Sequence, residues 1–292
     1  MRNRNCAWPA AAVRKLDRLG IIAGGGDLPR AVAQSARADG REVFVIGLLG
    51  SLGDGWIKDF PHEMASPGAP GQAFKSLRSE GITEVLLAGK VDRPNFSDLK
   101  LDMKGVLLLP RALKAARQGD DALLRFLVTM FEEEGFRAIG VAQAAPGLVC
   151  GEGALGALQP SDDHRADMAR GFAIVAALGA LDVGQAAIVC EGLALAVEAA
   201  EGTDAMIARV GTLRPALRGT PENKRGVLVK ALKPNQDAKT DMPVIGIATV
   251  EKAHAAGLAG IGLQVGGALI VDKAAVGRCA DALGLFVVGV KS

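Results

Sequence analysis

The residues best suited to chemistry lie in the segment 224–243, which reads KRGVLVKALKPNQDAKTDMP. Its apolar run at 226–229 is typical of a buried strand, and the polarity rises sharply after that run. The polar residues that follow are Lys230, Lys233, Gln236, Asp237, Lys239 and Asp241. Pro234 and Asn235 indicate a turn, so a rigid strand would present these side chains on a loop.

Two carboxylates of this loop, Asp237 and Asp241, have a lysine between them and further lysines before them. Carboxylates can hold a divalent cation, and lysines can neutralise a phosphate. The alternative interpretation is a solvated turn whose charges only keep the chain soluble.

A second acidic group follows the predicted strand at 193–198. It consists of Glu198, Glu201 and Asp204, with Thr203 among them. Oxygen ligands without histidine or cysteine suit Mg²⁺ or Mn²⁺ better than zinc. Glu198, Glu201 and Asp204 are therefore candidate metal ligands, together with the two loop carboxylates. Thr203 and Asp204 could instead only cap the helix that follows.

A cation held by these groups would act on a phosphate ester or anhydride. Lys230 and Lys233 could withdraw charge from a phosphoanhydride while a carboxylate orients or deprotonates water. This combination predicts a pyrophosphatase, with Asp237, Lys230 and Lys233 as the catalytic candidates.

Near the start of the chain, a predicted strand at 19–23 leads into Gly24, Gly25 and Gly26, and a helix follows Asp27 and Leu28. Glycines let the backbone approach a phosphate closely, and a helix N-terminus favours an anion. The spacing fits neither a Walker loop nor a complete GxGxxG, so a simple tight turn is an equal alternative, in which Asp27 is only the helix N-cap.

Further strands are predicted at 41–49 and 84–88, with a helix at 73–80 between them. This alternation is typical of a parallel sheet wound in the Rossmann manner. Since ligands bind at the carboxyl ends of such strands, the turn containing Gly89 and Lys90 is expected beside the glycine turn.

The chain is predicted to have an α/β fold in three parts. Residues 1–15 are expected to be a disordered extension, 16–146 a Rossmann-like parallel-sheet domain, and 147–292 a mixed α/β domain. A last strand of the first domain is predicted at 136–142. The boundary is placed in the Gly-, Ala- and Pro-rich stretch 144–160.

Composition excludes several classes. The 292 residues carry a net charge of +2, with 4% aromatic residues and no tyrosine, so neither a global field nor stacking platforms favour nucleic acid. Four isolated cysteines and three isolated histidines predict no zinc site or disulfide framework and suit a cytoplasmic protein. Apolar runs fall short of the roughly 20 residues that a transmembrane helix needs.

The sequence fits two other enzyme classes less well. A serine hydrolase lacks its GxSxG motif. An NAD-type oxidoreductase suits the first sheet, but 45–48 offers no acidic residue to read a ribose.

Several motifs together carry a family resemblance: GGGDLP at 24–29, GKVDRP at 89–94, DVGQ at 182–185, EAAEGTD at 198–204, and GVLVK with KPNQD in 226–237. In this order they resemble the LpxI family, the UDP-2,3-diacylglucosamine pyrophosphatases of bacterial lipid A synthesis. The likeness extends over nearly all of the chain from about residue 16.

The resemblance implies Mg²⁺-dependent hydrolysis of UDP-2,3-diacylglucosamine to UMP and 2,3-diacylglucosamine 1-phosphate (lipid X), with the lipid product held between the two domains. It matches the family's essential aspartate to Asp237. The predicted substrate contacts are Gly24, Gly25, Gly26, Asp27, Leu28, Gly89, Lys90, Thr203 and Gln236. A lipid substrate is compatible with peripheral contact with the inner membrane, and a homodimer and a non-catalytic carrier of the same lipid stay open.

Overall fold

The computed structural model describes residues 18–52, 55–91, 100–233 and 242–291. The predicted extension at 1–15 lies outside these residues. So do three candidate site residues, Gln236, Asp237 and Asp241.

Residues 19–138 contribute five strands that pair in parallel throughout, in the order β3-β2-β1-β4-β5. The strands are β1 (Leu19–Ala23), β2 (Val43–Leu48), β3 (His62–Ala65), β4 (Glu84–Ala88) and β5 (Arg137–Ala138). This is the order of the first five strands in a doubly wound sheet. The predicted parallel sheet is confirmed.

Helices cover both faces of this sheet. They are α1 (Leu28–Ala38), α2 (Pro70–Ser79), α3 (Met103–Ala116), α4 (Asp120–Glu133) and α5 (Val141–Ala144). Alternate residues of a strand point to opposite faces. In β1, Ile21 therefore packs in the cluster that contains α1, whereas Ile22 packs in the cluster that contains α2 and α4.

The second sheet is mixed, with the order β6-β13-β11-β9-β7-β8. Its strands are β6 (Gly153–Ala154), β7 (Ala186–Cys190), β8 (Leu193–Val197), β9 (Val227–Lys230), β11 (Gly260–Gln264) and β13 (Phe286–Val290). Strands β9, β11 and β13 are parallel, and β6, β7 and β8 pair antiparallel to their neighbours. The predicted mixed α/β architecture of the second half is confirmed.

The helices of this half are α6 (Asp162–Ala180), α7 (Gly202–Gly211), α8 (Pro215–Arg218), α9 (Ile247–Ala255) and α10 (Lys273–Leu283). Helix α6 packs on one face of the sheet, and α7, α9 and α10 pack on the other. The predicted capping of α6 is confirmed, since Ser161 Oγ accepts from the backbone N–H of His164 at 3.3 Å. No helix of the described residues has the length and apolar character to cross a bilayer.

The strand predicted at 136–142 is wrong in its length. Only Arg137–Ala138 pairs with β4, and α5 begins at Val141. The side chain of Gln143 accepts a hydrogen bond from the backbone N–H of Gly140 at 3.2 Å. This local bond satisfies a donor at the start of a helical turn, which ends the strand early.

The two sheets share an apolar cluster, which we call the joining core. From the first half it contains residues of β1, β2, α1 and α5, and from the second half it contains Met242 and Leu269, with Leu232 and Val244 packed against it. A further short pair of parallel strands, β10 (Val244–Ile245) and β12 (Leu269–Ile270), belongs to the same region. The joining core therefore holds Leu232 and Met242, which lie on either side of residues 233–241, against the first sheet.

One close backbone approach provides a test of the second sheet. A Cβ atom on Gly289 of β13 would lie 1.8 Å from the carbonyl oxygen of Gly151, whereas a Cβ atom on Gly151 would meet nothing within 4 Å. We expect Gly289→Ala to lower the free energy of unfolding by about 2–3 kcal/mol through overpacking. The matched control Gly151→Ala should change it by less than about 0.5 kcal/mol. Urea denaturation measures both, and equal effects would contradict the packing described for Gly289.

Candidate functional site

Two turns at the carboxyl edge of the first sheet are joined by backbone hydrogen bonds. The N–H of Gly25 donates to the carbonyl oxygen of Lys90 at 2.8 Å, and the N–H of Lys90 donates to the carbonyl oxygen of Gly25 at 2.9 Å. The structure thus brings together the glycine turn after β1 and the Gly89–Lys90 turn after β4, as the order of the strands predicts.

Glycine is required where these turns meet. A Cβ atom on Gly24 would lie 2.6 Å from the carbonyl oxygen of Lys90, and one on Gly89 would lie 2.7 Å from the carbonyl oxygen of Gly25. Gly89 also has a φ of +92°, which disfavours other residues. Gly26, with a φ of +85°, has nothing within 4 Å of its Cβ position, so this side of the turn is open.

The open side of the turn forms the wall of a small cleft. It is lined by Gly24, Gly25, Gly26, Asp27, Arg30, Leu52 and Trp56. Asp27 occupies the N-cap position of α1, but its side chain accepts no capping hydrogen bond. The start of a helix favours an anion, and Arg30 adds positive charge, whereas the Asp27 carboxylate favours a hydrogen-bond donor.

Three of the lining residues were not predicted. Arg30 lies in the first turn of α1, and Leu52 and Trp56 belong to the connection between β2 and β3. A Cβ atom on Gly25 would lie 2.7 Å from the carbonyl oxygen of Ser51, so this connection packs directly on the glycine turn. Arg30 had a detectable signal, because the third helical position lies beside the N-terminus.

A buried polar network lies at the end of β9. Lys230, which is 4% exposed, donates to Thr203 Oγ1 at 2.8 Å and to the carbonyl oxygen of Val244 at 3.3 Å. Thr203 in turn donates to Glu198 Oε1 at 2.7 Å, and the N–H of Gln185 donates to Glu198 Oε2 at 3.2 Å. A buried ammonium and a buried carboxylate are thereby connected through one hydroxyl. Three of the predicted site residues therefore do meet, in a network that satisfies buried charges.

Lys233 lies close to the predicted motif at 182–185. Its ammonium is 2.7 Å from Asp182 Oδ1, and the side chain of Lys233 is 17% exposed. Asp182 adopts a φ of +58°. Asp182 was noted in the sequence only as part of a motif, and its pairing with Lys233 across 51 positions requires the folded structure.

The other candidate metal ligands have partners of their own. Glu201 pairs with Arg209 at 2.9 Å, and Asp204 pairs with Lys252. Hydrogen bonds from its own backbone N–H and from Arg209 hold the pKa of the Glu201 carboxyl below its usual value. Within residues 18–52, 55–91, 100–233 and 242–291, no three acidic, histidine or cysteine side chains group as metal ligands would. Glu198, Glu201 and Asp204 therefore do not converge into a three-carboxylate cluster within the described part of the chain.

Segment 234–241, which contains the remaining candidates, is framed by described contacts. On its N-terminal side, the N–H of Ala231 donates to the carbonyl oxygen of Gln185 at 3.1 Å, and the N–H of Leu232 donates to Gln264 Oε1 at 3.0 Å. On its C-terminal side, the N–H of Leu269 donates to the carbonyl oxygen of Pro243 at 2.7 Å.

The joining core connects this frame to the glycine-turn cleft. Leu232 and Val244 pack against the same cluster as Leu28 and Leu52, and Trp56 is one of its buried members. The chain therefore enters and leaves 234–241 beside the core that also supports the cleft.

Other chemical groups are less suited to a site. The thiols of Cys150 and Cys190 are buried, and burial raises the pKa of both above the usual value, which disfavours a thiolate nucleophile. The end of β2 also differs from that of an NAD-dependent dehydrogenase. Strand β2 ends at Leu48 and is followed by Leu49 and Gly50, so this position has no carboxylate to hydrogen-bond the ribose of NAD.

A second cleft lies at the amino edge of the first sheet and is rich in arginine. Its three guanidinium groups are already engaged. Arg18 pairs with Glu42 at 2.6 Å, Arg37 donates to the carbonyl oxygen of Asp59 at 3.1 Å, and the buried Arg41 pairs with Glu84. It also lies at the edge of the sheet opposite to the glycine turn.

The polar network at the end of β9 generates a stability prediction. Thr203→Val keeps the volume of the side chain but removes the hydroxyl between Lys230 and Glu198, so we expect the free energy of unfolding to fall by about 1–3 kcal/mol. Thr203→Ser keeps the hydroxyl and is the matched control, with a loss of less than about 1 kcal/mol. Chemical denaturation of both variants is the measurement. A valine variant as stable as the serine variant would show that the hydroxyl does not support the buried charges.

Comparison with known proteins places the chain in a family. Residues 18–148 match the LpxI N-terminal domain, and residues 151–288 match the LpxI C-terminal domain. The UDP-2,3-diacylglucosamine pyrophosphatase LpxI of Caulobacter vibrioides is 46% identical over 273 residues, which cover 94% of this chain and 97% of that relative. Because both domains match in order and the alignment extends over nearly the whole relative, this chain belongs to the LpxI family.

Proposed function

We propose that this protein hydrolyses the pyrophosphate bond of UDP-2,3-diacylglucosamine, releasing UMP and 2,3-diacylglucosamine 1-phosphate (lipid X). The observation that carries the proposal is the 46% identity, over 97% of its length, to a relative whose name states this pyrophosphatase activity. In the reaction, water adds to one phosphorus and the bridging P–O bond breaks, so that each product keeps one phosphate.

The glycine-turn cleft is the proposed binding site for the nucleotide part of the substrate. Its helix N-terminus and Arg30 favour the phosphates, and Lys90 adds positive charge at the same edge of the sheet. Asp27 would repel a phosphate but can accept hydrogen bonds from ribose hydroxyls or the uracil N–H. Leu52 and the indole of Trp56 provide apolar surface for the ring.

Lys230 and Lys233 receive different roles in this proposal. Lys230 is buried, and its ammonium contacts Thr203 and the backbone of Val244, so it acts as a positioning residue at the end of β9. Glu198 and Thr203 act with it. Lys233 lies three residues after Lys230 in the chain and is partly exposed beside Asp182. Its ammonium group can stabilise negative charge that develops on the pyrophosphate.

Asp237 is the proposed catalytic carboxylate, which orients or deprotonates the attacking water. The proposal depends on its place in KPNQD, because it lies outside the described residues. Its support from the fold is the frame around 234–241, which shares the joining core with the nucleotide cleft.

A requirement for Mg²⁺, or for Mn²⁺ in its place, is part of the proposal. Glu201 and Asp204 already pair with Arg209 and Lys252. The buried Glu198 accepts hydrogen bonds from Thr203 and from the backbone of Gln185. We therefore propose the two other acidic candidates, Asp237 and Asp241, as the ligands. A divalent ion bound there would supply positive charge at the pyrophosphate.

The proposal also includes a location. A substrate with two acyl chains resides in a bilayer, so we place the protein in the cytoplasm, in contact with the inner membrane surface when it takes its substrate.

The first test removes the catalytic carboxylate. We expect Asp237→Ala to retain the wild-type unfolding midpoint and to lose at least about 100-fold in kcat, since a positioned general base contributes about 100- to 10,000-fold. Release of UMP from detergent-dispersed UDP-2,3-diacylglucosamine is the measurement. The matched control Asp162→Asn alters a fully exposed aspartate in the first turn of α6 and should retain wild-type turnover. Normal turnover by Asp237→Ala would reject the role of Asp237.

The second test removes the metal. Incubation with a chelator followed by desalting should abolish UMP release, and added Mg²⁺ or Mn²⁺ should restore it. Full turnover by the stripped protein would reject the metal requirement, whereas binding of the lipid nucleotide without any turnover under all conditions would indicate a carrier.

A further inference from the structure

The outward face of α3 has an unusual composition for a helix on a protein surface. The residues at this face recur every three or four positions, as one side of a helix requires: Met103, Val106, Leu107, Pro110, Arg111, Lys114 and Arg117. Residues Met103, Val106 and Leu107 are 86%, 57% and 72% exposed. The first half of the face is therefore apolar, although a helix normally turns such residues towards the core.

The second half of the same face is cationic. Arg111, Lys114 and Arg117 are all exposed, and no acidic residue occurs in 103–117. Arg111 pairs with Glu133 of α4, but no ion pair of the described residues involves Lys114 or Arg117. An apolar patch thus adjoins a cluster of positive charges along one helix face.

The opposite face fixes α3 to the protein. A Cβ atom on Gly105 would lie 2.0 Å from the carbonyl oxygen of Gly68, so the start of the helix packs directly on the backbone before α2. Asp102 caps the helix by accepting from the N–H of Gly105 at 2.6 Å, and also accepts from the N–H of Gln72 at 3.1 Å. The outward side chains are consequently presented on a rigid element.

The position of α3 relates it to the proposed site. Gly119, two residues after this face ends, lies near Asp182, since a Cβ atom on Gly119 would be 3.9 Å from Asp182 Oδ2. Asp182 is the partner of Lys233. The cationic end of the face is therefore on the side of the molecule that carries Lys233.

We propose that the outward face of α3 docks on the surface of an anionic phospholipid bilayer, with Met103, Val106 and Leu107 inserted among the acyl chains and Lys114 and Arg117 at the lipid phosphates. The charge of the face selects this occupant, because exposed apolar residues beside exposed cations are typical of helices that lie in an anionic interface. The reason for this docking rests on the proposed function, since an enzyme with a lipid substrate must take that substrate from a membrane.

Binding to vesicles that contain no substrate tests the surface independently of turnover. The full chain is titrated with vesicles of phosphatidylcholine and phosphatidylglycerol, and with vesicles of phosphatidylcholine alone. We expect clear binding to the anionic vesicles and little to the neutral ones, with a strong decrease at high salt.

Two variants test the cationic half and the apolar half of the α3 face separately. Lys114→Glu with Arg117→Glu should weaken binding to the anionic vesicles by at least about 25-fold, because each cation near an anionic surface contributes about fivefold in affinity. Leu107→Glu should weaken it by about tenfold, the contribution of one buried leucine side chain. Both should retain the wild-type melting temperature and turnover of detergent-dispersed substrate.

Matched controls lie elsewhere on the surface. Leu193→Glu in β8 replaces a leucine that is 51% exposed, and Arg278→Glu in α10 reverses an exposed charge. Neither should affect vesicle binding. If the α3 variants bind like the wild type, or the controls lose as much, the proposal is overturned. A changed elution volume in size exclusion with unchanged vesicle binding would also overturn it and assign the face to a second copy of the chain.

The two proposals fail in different ways. Absence of UMP release by a protein that still binds anionic vesicles through α3 would reject the pyrophosphatase alone. Turnover of dispersed substrate by a protein that ignores vesicles would reject the docking face alone.

Discussion

The packing of Leu232, Met242 and Val244 against the core of the first sheet is the constraint on which the arrangement of the site depends. These residues belong to the second half of the chain, yet they share a cluster with Leu28 and Leu52 of the first half. Burial of apolar side chains is non-directional and strong enough to hold two sheets together. Without this contact, the glycine-turn cleft and the residues on either side of 234–241 would lose the apolar core that they share.

Buried charge at the end of β9 shows a second constraint. Lys230 and Glu198 are 4% and 7% exposed, and an uncompensated charge at either position would be costly. Thr203 lies between them because a hydroxyl can donate to a carboxylate and accept from an ammonium at the same time. In the fold, these side chains satisfy one another's hydrogen bonds at the end of the strand that precedes the KPNQD segment.

The elements with a strong hydrophobic pattern were predictable. The predicted strands at 19–23 and 84–88 agree with the structure, since each is built on a short apolar run next to turn residues. Strand β3, which reads HEMA, was not recognised because its polar residues carry no such pattern; it forms by pairing with β2 at the edge of the sheet. Similarly, a hydrogen bond to Gln143 ends β5 early, where the apolar pattern of 136–142 continues.

The sequence by itself determined the parallel and mixed sheets, the meeting of the glycine turn with the Gly89–Lys90 turn, and the family. These follow from local apolar periodicity, from the positions of glycines, and from the order of motifs. Only the tertiary structure decided which charges are paired, because the partners of Lys233, Asp204 and Lys230 lie 51, 48 and 27 positions away. It also decided that α3 turns Met103 and Leu107 outward, since the face of a helix that is buried depends on what the rest of the chain packs against it.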